Sequence, residues 1–167
     1  MSSIRLSMVT IIAYVAIVCS ATAADNVPSV VGTWSLTGLS YRILETGEVV
    51  RPFGDNVHGL IQYSPGGHMV VFIQKKNPPM PSDTDYSDES RVRIHKEIIG
   101  AYAGTYSVDG NRVTHHIIVG WRPDWVGHDQ VRYADMQGNV LTIETAPLVS
   151  LLTGKQSVAT LTFLRVE

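Results

Sequence analysis

The residues best suited to chemistry stand together in one stretch, "VTHHIIVGW" at 113–121, where His115 and His116 are adjacent. A histidine changes charge near neutral pH, so a positioned imidazole can act as a general acid or base. The stretch is rich in β-branched residues, which predicts a strand, and successive side chains of a strand point to opposite faces. We therefore expect one histidine to face the interior and the other to face solvent.

The turn signal Asp109-Gly110 predicts which histidine lies inside. A two-residue turn there places Gly104 opposite His115, which leaves room for the imidazole ring. The face that carries His115 is aromatic and apolar, whereas the face that carries His116 is mostly small or polar. The predicted inner face holds Tyr102, Gly104, Tyr106, Val113, His115, Ile117 and Val119. A one-residue shift of this register would reverse every assignment.

A second predicted hairpin, with its turn centred on Gly138, places Arg132 opposite Glu144 and Tyr133 opposite Ile143. Two interpretations of the Arg132–Glu144 pair stay open. A solvated surface pair would contribute well under about 1 kcal/mol to stability. A pair inside the fold could instead hold a carboxylate or carbonyl group of a ligand.

The loop "GWRPDWVG" at 120–127 carries Trp121 and Trp125 between two predicted strands. Large aromatic side chains in such a loop either plug one end of the fold or line the mouth of a binding site. The sequence leaves these two roles open.

Other catalytic and cofactor signatures are missing from the sequence. Its six histidines form no H-x-H, HExxH or C-x-x-C-H pattern, so no metal is expected. Neither glycine-rich nucleotide-binding motif occurs, so no cofactor is expected, and no stretch resembles a nucleophile elbow. The chain also lacks a basic stripe, which argues against nucleic-acid binding.

The elements that must position these residues are predicted to be strands separated by glycine-bearing turns. Strands arranged as successive hairpins form a meander, and closing a meander into a barrel removes its exposed edges. A short helix is expected within 90–103, after a polar, proline-bearing loop at 75–90. The predicted strands are 32–43, 58–64, 68–74, 104–108, 112–120, 129–136, 140–145 and 157–166.

The N-terminal segment is predicted to be a signal peptide covering residues 1–23, followed by one domain over 24–167. Arg5 precedes an apolar run of about 12 residues, which ends at the cleavage pattern Ala21-Thr22-Ala23. We expect a secreted or periplasmic protein without a membrane span after cleavage. Cleavage would also remove Cys19, the single cysteine, and would change the net charge from −2 to −3 by removing Arg5.

Several stretches resemble the lipocalin-like domain family of bacteria and fungi. They are "VVGTWSLTGLSYR", "GEVVRPFGDNVHGLIQYSPGGHM", "AYAGTYSVDGNRVTHHI", "WVGHDQVRYADMQGNVLTIETAP" and "TLTFLRV". The resemblance implies an all-β fold, an antiparallel up-and-down barrel of the calycin type with eight to nine strands around a cavity. Trp34 matches the G-x-W of the first lipocalin strand, and Arg165 stands where lipocalins place a basic residue on the last strand. An indole face offers a guanidinium a stacking site, so both residues are expected to be structural.

Three functions remain open. The first is binding of a small, largely apolar molecule in the barrel. The second is a cofactor-independent isomerase, cyclase or dehydratase that uses His115 and Tyr106 as an acid–base site, with Tyr102 as a further hydrogen-bond donor. The third is an interaction module that uses the outer face of the sheet, and the oligomeric state stays open. The candidate ligand-binding residues are Tyr102, Tyr106, His115, Ile117, Trp121, Trp125, Arg132, Tyr133 and Glu144.

Overall fold

A computed structural model describes residues 29–79, 87–150 and 152–167. The predicted signal peptide and the central part of the 75–90 loop lie outside the described residues. The strands and the helix, in chain order, are β1 (Gly32–Ile43), β2 (Val49–Val50), β3 (Val57–Tyr63), β4 (His68–Lys75), α1 (Asp88–His95), β5 (Ile98–Asp109), β6 (Arg112–Gly120), β7 (Asp129–Gln137), β8 (Val140–Thr145), β9 (Leu148–Val149) and β10 (Gln156–Arg165). A 3-10 turn, Pro123–Trp125, lies between β6 and β7.

Eight long strands form a closed antiparallel barrel. β1 pairs with β3, and from β3 to β8 each long strand pairs with the next. β10 pairs with both β8 and β1, which closes the sheet. The short strands β2 and β9 extend the wall beside β1 and β10. This arrangement confirms the predicted up-and-down barrel with one short helix.

The barrel wall follows the two-residue period of its strands. In β3 the side chains of Val57, Ile61 and Tyr63 are buried, whereas His58 and Leu60 between them are exposed. The buried set faces the interior and packs against the inward side chains of β4. Each large apolar side chain buried in this way stabilises the fold by about 1.5–3 kcal/mol.

The first and last strands meet through the predicted Trp34–Arg165 pair. The two residues are register partners, and the guanidinium carbon of Arg165 lies 4.0 Å from the centre of the Trp34 ring. The Trp34 indole N–H donates to the carbonyl of Val30 at 2.8 Å, and Nη1 of Arg165 donates to the carbonyl of Val31 at 2.9 Å. Both side chains thus join the barrel seam to the segment that precedes β1.

The β5–β6 hairpin differs in register from its prediction but keeps the predicted position of the two histidines. Its turn is Gly110-Asn111, so His115 pairs with Tyr106 rather than Gly104. This is a shift of two positions, which leaves each side chain on its predicted face. A bulge in β6 at Ile118, opposite Ala103 and Gly104, adds a further change. The expectation that Val119 faces inward is wrong, since its side chain is 60% exposed.

The β7–β8 hairpin shifts by one position, and this places Arg132 and Glu144 on opposite faces of the sheet instead of the same face. Arg132 pairs with Thr145 inside the barrel, whereas Tyr133 pairs with Glu144 on the outside. The predicted Arg132–Glu144 ion pair is therefore wrong. The turn occupies Gly138-Asn139 rather than centring on Gly138, because Gly138 takes the positive φ that the first turn position needs.

The helix begins earlier and ends earlier than predicted. It spans Asp88–His95, and the Ser87 side chain caps it by accepting from the backbone N–H of Ser90 at 3.2 Å. Ile98 and Ile99 belong to β5 instead, because pairing with β4 holds this stretch extended. No helix in the described part of the chain is long and apolar enough to cross a membrane.

Candidate functional site

The barrel encloses a cavity of about 610 Å³. Its opening lies at the end where β5 begins, β6 ends and the 3-10 turn follows. The opposite end is packed with Trp34, Tyr63, Val113 and Leu141, each at most 1% exposed. Most of the cavity wall is apolar, with side chains from Leu39, Ile61, Val71, Ile73, Ile99, Ile143, Leu161 and Phe163.

His115 lies deep inside this barrel and is 1% exposed, as the sequence predicts. Its Nε2 lies 2.8 Å from the Tyr63 hydroxyl, and its Nδ1 lies 3.0 Å from the Tyr102 hydroxyl. Burial, followed by the nearby charge of Arg132, lowers the pKa of His115 well below 6.5. The imidazole is therefore neutral at neutral pH.

The two tyrosines must hydrogen-bond to this neutral ring in opposite senses. A neutral imidazole has one N–H donor and one acceptor nitrogen, so one hydroxyl donates to His115 and the other accepts from it. Tyr63 is fully enclosed, its hydroxyl has no second partner among the described residues, and burial raises its pKa well above 10. Tyr102 lines the cavity.

Buried polar hydrogens normally have an acceptor, so the Tyr63 proton belongs on the bond to Nε2. Nδ1–H of His115 then donates to the oxygen of Tyr102. This arrangement leaves the hydroxyl proton of Tyr102 free to point into the cavity. The opposite arrangement would bury the Tyr63 proton without an acceptor.

Arg132 brings a positive charge to the inner wall beside His115. It lines the cavity and is partly buried. Nη1 donates to the carbonyl of Val131 at 2.9 Å, and Nη2 donates to the side-chain oxygen of Gln130. Within the described ranges, no carboxylate forms an ion pair with Arg132.

Trp121 and Trp125 line the cavity near its opening. Their ring centres lie 6.2 Å apart with the planes nearly perpendicular, and Trp125 meets Tyr102 in the same way at 5.6 Å. The ring of His95 from α1 lies 4.7 Å from Trp121. The indole nitrogen of Trp121 is buried and has no hydrogen-bond partner among the residues described.

Several predicted site residues lie away from the cavity. The Tyr106 hydroxyl donates to the carbonyl of Ser64 at 2.8 Å, and Ile117 is buried in the core without lining the cavity. Tyr133 and Glu144 are exposed on the outer face. The structure brings together Tyr102, His115, Trp121, Trp125 and Arg132 from the predicted set, and it adds Tyr63 as the partner of His115.

His116 belongs to a separate network on the outer wall. Its Nε2 lies 3.1 Å from the Ser107 hydroxyl, and its Nδ1 lies 2.7 Å from a carboxylate oxygen of Asp129. The atoms follow the order of a serine–histidine–aspartate relay. Ser107 is exposed, the side chains of His116 and Asp129 are 40% and 61% exposed, and Ser107 does not line the barrel cavity. We therefore interpret this network as a surface cluster. In the described ranges, no three His, Cys, Asp or Glu side chains are grouped so that they would hold a metal ion.

Comparison with known proteins places the chain in a family. No curated protein sequence matches it at a significant level. A crystal structure of an uncharacterized protein from Saccharomyces cerevisiae is similar over 78% of this chain, with 12% identity and a TM-score of 0.45, and the chain spans about half (52%) of that protein. The pattern of the lipocalin-like domain matches residues 31–166. This match covers nearly the whole described barrel, and the chain therefore belongs to the lipocalin-like domain family.

Proposed function

We propose that this protein binds a small, largely apolar molecule inside its barrel. The observation that carries the proposal is the cavity of about 610 Å³, which is open at one end, mostly apolar, and supplied with a few polar groups around His115. Binding sites for small molecules typically have this size and this combination of apolar walls with a few placed polar groups.

A neutral fluorescent probe tests this proposal directly. N-phenyl-1-naphthylamine should bind with saturable, one-to-one stoichiometry and should gain fluorescence as it leaves water. Gly100→Phe should abolish this binding, because Gly100 lines the cavity and a large side chain there would fill it.

Ala101→Phe is the matched control. Ala101 follows Gly100 in β5 and pairs with the exposed Phe72 on the outer face, so the same side chain at this position should leave probe binding unchanged. Absence of saturable binding to the wild-type protein, or equal binding to Gly100→Phe, would contradict the proposal.

We further propose that the binding takes place outside the cytoplasm. Support comes from the sequence alone, in which Arg5, an apolar run and Ala21-Thr22-Ala23 form a signal-peptide pattern. N-terminal sequencing of exported protein should give a chain that starts at Ala24 or Asp25. An intact Met1 on the exported protein would contradict cleavage.

A second candidate is a cofactor-independent isomerase, cyclase or dehydratase. The specific observation in its favour is the Tyr102 hydroxyl, which His115 orients while it faces the cavity. A hydroxyl held in this way can donate a hydrogen bond to the oxyanion of an enolate while hydroxide or water from solvent takes the α-proton, and it thereby lowers the barrier to enolate formation.

Proton exchange separates this enzyme from a simple binding protein. An enzyme of this kind should speed the exchange of the α-protons of 2-undecanone with solvent deuterium, as followed by NMR. Tyr102→Phe should remove the acceleration while probe binding persists. Exchange no faster than in buffer would favour binding alone.

A further inference from the structure

We infer that the cavity selects an apolar molecule that carries a carboxylate, held between the guanidinium of Arg132 and the hydroxyl of Tyr102. The inference rests on the proposed binding function and names the chemical class of its ligand. Three observations support it: an unpaired cation, a set of donors without acceptors, and the common position of these groups at the inner end of the cavity.

The unpaired cation is Arg132. A charge that is partly removed from water is costly unless an opposite charge accompanies it. The other cations around the opening differ from Arg132, since Lys75 pairs with Glu97 at 3.0 Å and Arg122 pairs with Asp124. Lys96 also lines the opening, but it is exposed to solvent. Arg132 has no such partner in the part of the chain that the structure describes, so a bound anion would supply the missing charge.

The polar groups beside Arg132 are donors. When the Tyr102 oxygen accepts from Nδ1–H of His115, as the enclosed Tyr63 hydroxyl requires, the hydroxyl proton of Tyr102 is free to point into the cavity. The side-chain oxygen of Gln130 is engaged by Arg132, which leaves the amide nitrogen of Gln130 as a further donor. A ligand group that only accepts hydrogen bonds would satisfy all of these donors.

These groups lie at one level of the barrel. His115 and Gln130 are register partners on β6 and β7, and Arg132 is the next inward residue after Gln130. Tyr102 reaches the same imidazole from β5. The charge of Arg132 also helps to lower the pKa of His115, which agrees with a short separation between them.

A carboxylate fits better than a phosphate. One guanidinium balances one negative charge and can bind both carboxylate oxygens in parallel. A phosphate dianion would leave a second charge in a largely apolar cavity, with no second cation at this depth among the described side chains.

Two ligands with the same chain test the inference. Dodecanoic acid and 1-dodecanol should each displace N-phenyl-1-naphthylamine from the wild-type protein at pH 7.5, and the acid should bind at least tenfold more tightly. Arg132→Met should weaken binding of the acid at least tenfold and leave the alcohol unchanged. Tyr102→Phe should weaken the acid severalfold.

Arg112→Met provides the control, because Arg112 is exposed at the start of β6 and does not line the cavity. Its preference for the acid should equal that of the wild type. Equal affinities of acid and alcohol in the wild type would overturn the carboxylate inference while the binding function stands. Failure of the wild type to bind the probe would instead overturn the binding function, and with it the inference. The comparison of the two ligands needs only the wild-type protein, so it remains decisive if Arg132→Met does not fold.

Discussion

The Tyr63 hydroxyl lies 2.8 Å from Nε2 of His115 and connects β3 to β6, two strands that are not neighbours in the barrel wall. Both residues are 1% exposed, so the contact crosses the packed interior. Because Tyr63 occupies Nε2, the other ring nitrogen faces Tyr102 and the cavity. The buried Tyr63–His115 contact therefore leaves the Tyr102 hydroxyl able to donate a hydrogen bond to a ligand in the cavity.

Removing the Tyr63 hydroxyl should destabilise the protein and disturb the protonation of His115. In Tyr63→Phe, Nε2 loses its donor, and a buried group without a partner costs about 1–3 kcal/mol. Urea unfolding should show a loss of this size. In the wild type, ¹⁵N NMR of the imidazole should show the proton on Nδ1, whereas the variant should show a mixture of the two tautomers.

Tyr106→Phe serves as its control. Tyr106 packs against the Tyr63 ring, but its hydroxyl donates to Ser64 and does not reach His115. This variant should leave the nitrogen shifts of His115 unchanged. A wild-type spectrum with the proton on Nε2 would contradict the hydrogen-bond assignment.

Burial of His115 should make the free energy of unfolding depend on pH below neutrality. The pKa of His115 in the folded protein lies well below its unfolded value of 6.5. Between these two values the unfolded chain binds a proton that the folded protein does not, so stability falls as pH decreases through 6.5. The slope from this group approaches about 1.4 kcal/mol per pH unit. Above pH 7 the contribution of His115 is constant.

Unfolding titrations across this pH range provide the measurement. His115→Gln should lose this part of the slope, since glutamine does not titrate. His116→Gln should keep it, because the neighbouring ring lies on the outer wall. An identical slope in the wild type and in His115→Gln would show that other groups cause the acid sensitivity.

The stability of the seam, where β1 pairs with β10, should depend on Trp34 and Arg165 and should not require a bound ligand. Trp34 is fully buried, so Trp34→Ala should cost about 3–5 kcal/mol of stability. Arg165→Met removes the stacked charge and should cost about 0.5–2 kcal/mol. Leu164→Ala, at an exposed position of the same strand, should change stability far less. Thermal unfolding measures all three, and a wild-type melting temperature for Trp34→Ala would refute the role of the seam.

The barrel and the inward position of His115 follow from local patterns in the sequence. Stretches rich in β-branched and aromatic residues, separated by glycine-bearing turns, place the long strands to within one or two residues, except that β5 begins six residues earlier than predicted. Register is less accessible, because it depends on which two residues occupy each turn. At Gly110 the register error is two positions, which keeps each side chain on its predicted face. At Gly138 the error is one position, which separates Arg132 and Glu144 onto opposite faces of the sheet.

The partner of His115 depends on barrel closure, which no local pattern encodes. The alternation of Val57, Ile61 and Tyr63 in β3 is enough to predict that Tyr63 faces inward. That it meets His115 requires the curvature that brings β3 and β6 together across the interior. The bulge at Ile118 in β6 is likewise not predictable from the sequence, since it arises where the backbones of β5 and β6 approach closely at Gly104.

This close approach makes Gly104 the most restrictive glycine in β5. A Cβ atom there would lie 1.9 Å from the backbone carbonyl oxygen of His116. No side-chain rotation can relieve that overlap, so Gly104→Ala must move the backbone of β5 or β6. Such shifts cost about 1–3 kcal/mol or more.

Gly100→Ala is the matched control, because a Cβ at Gly100 meets nothing within 4 Å. Alanine at position 100 should be neutral or slightly stabilising, because alanine loses less conformational entropy than glycine when the strand forms. Urea unfolding of the two variants checks the difference, and equal stabilities would mean that the close approach of β6 does not restrict position 104. Because the overlap involves the backbone of His116, Gly104→Ala should also shift the NMR signals of the His116 ring, and Gly100→Ala should not.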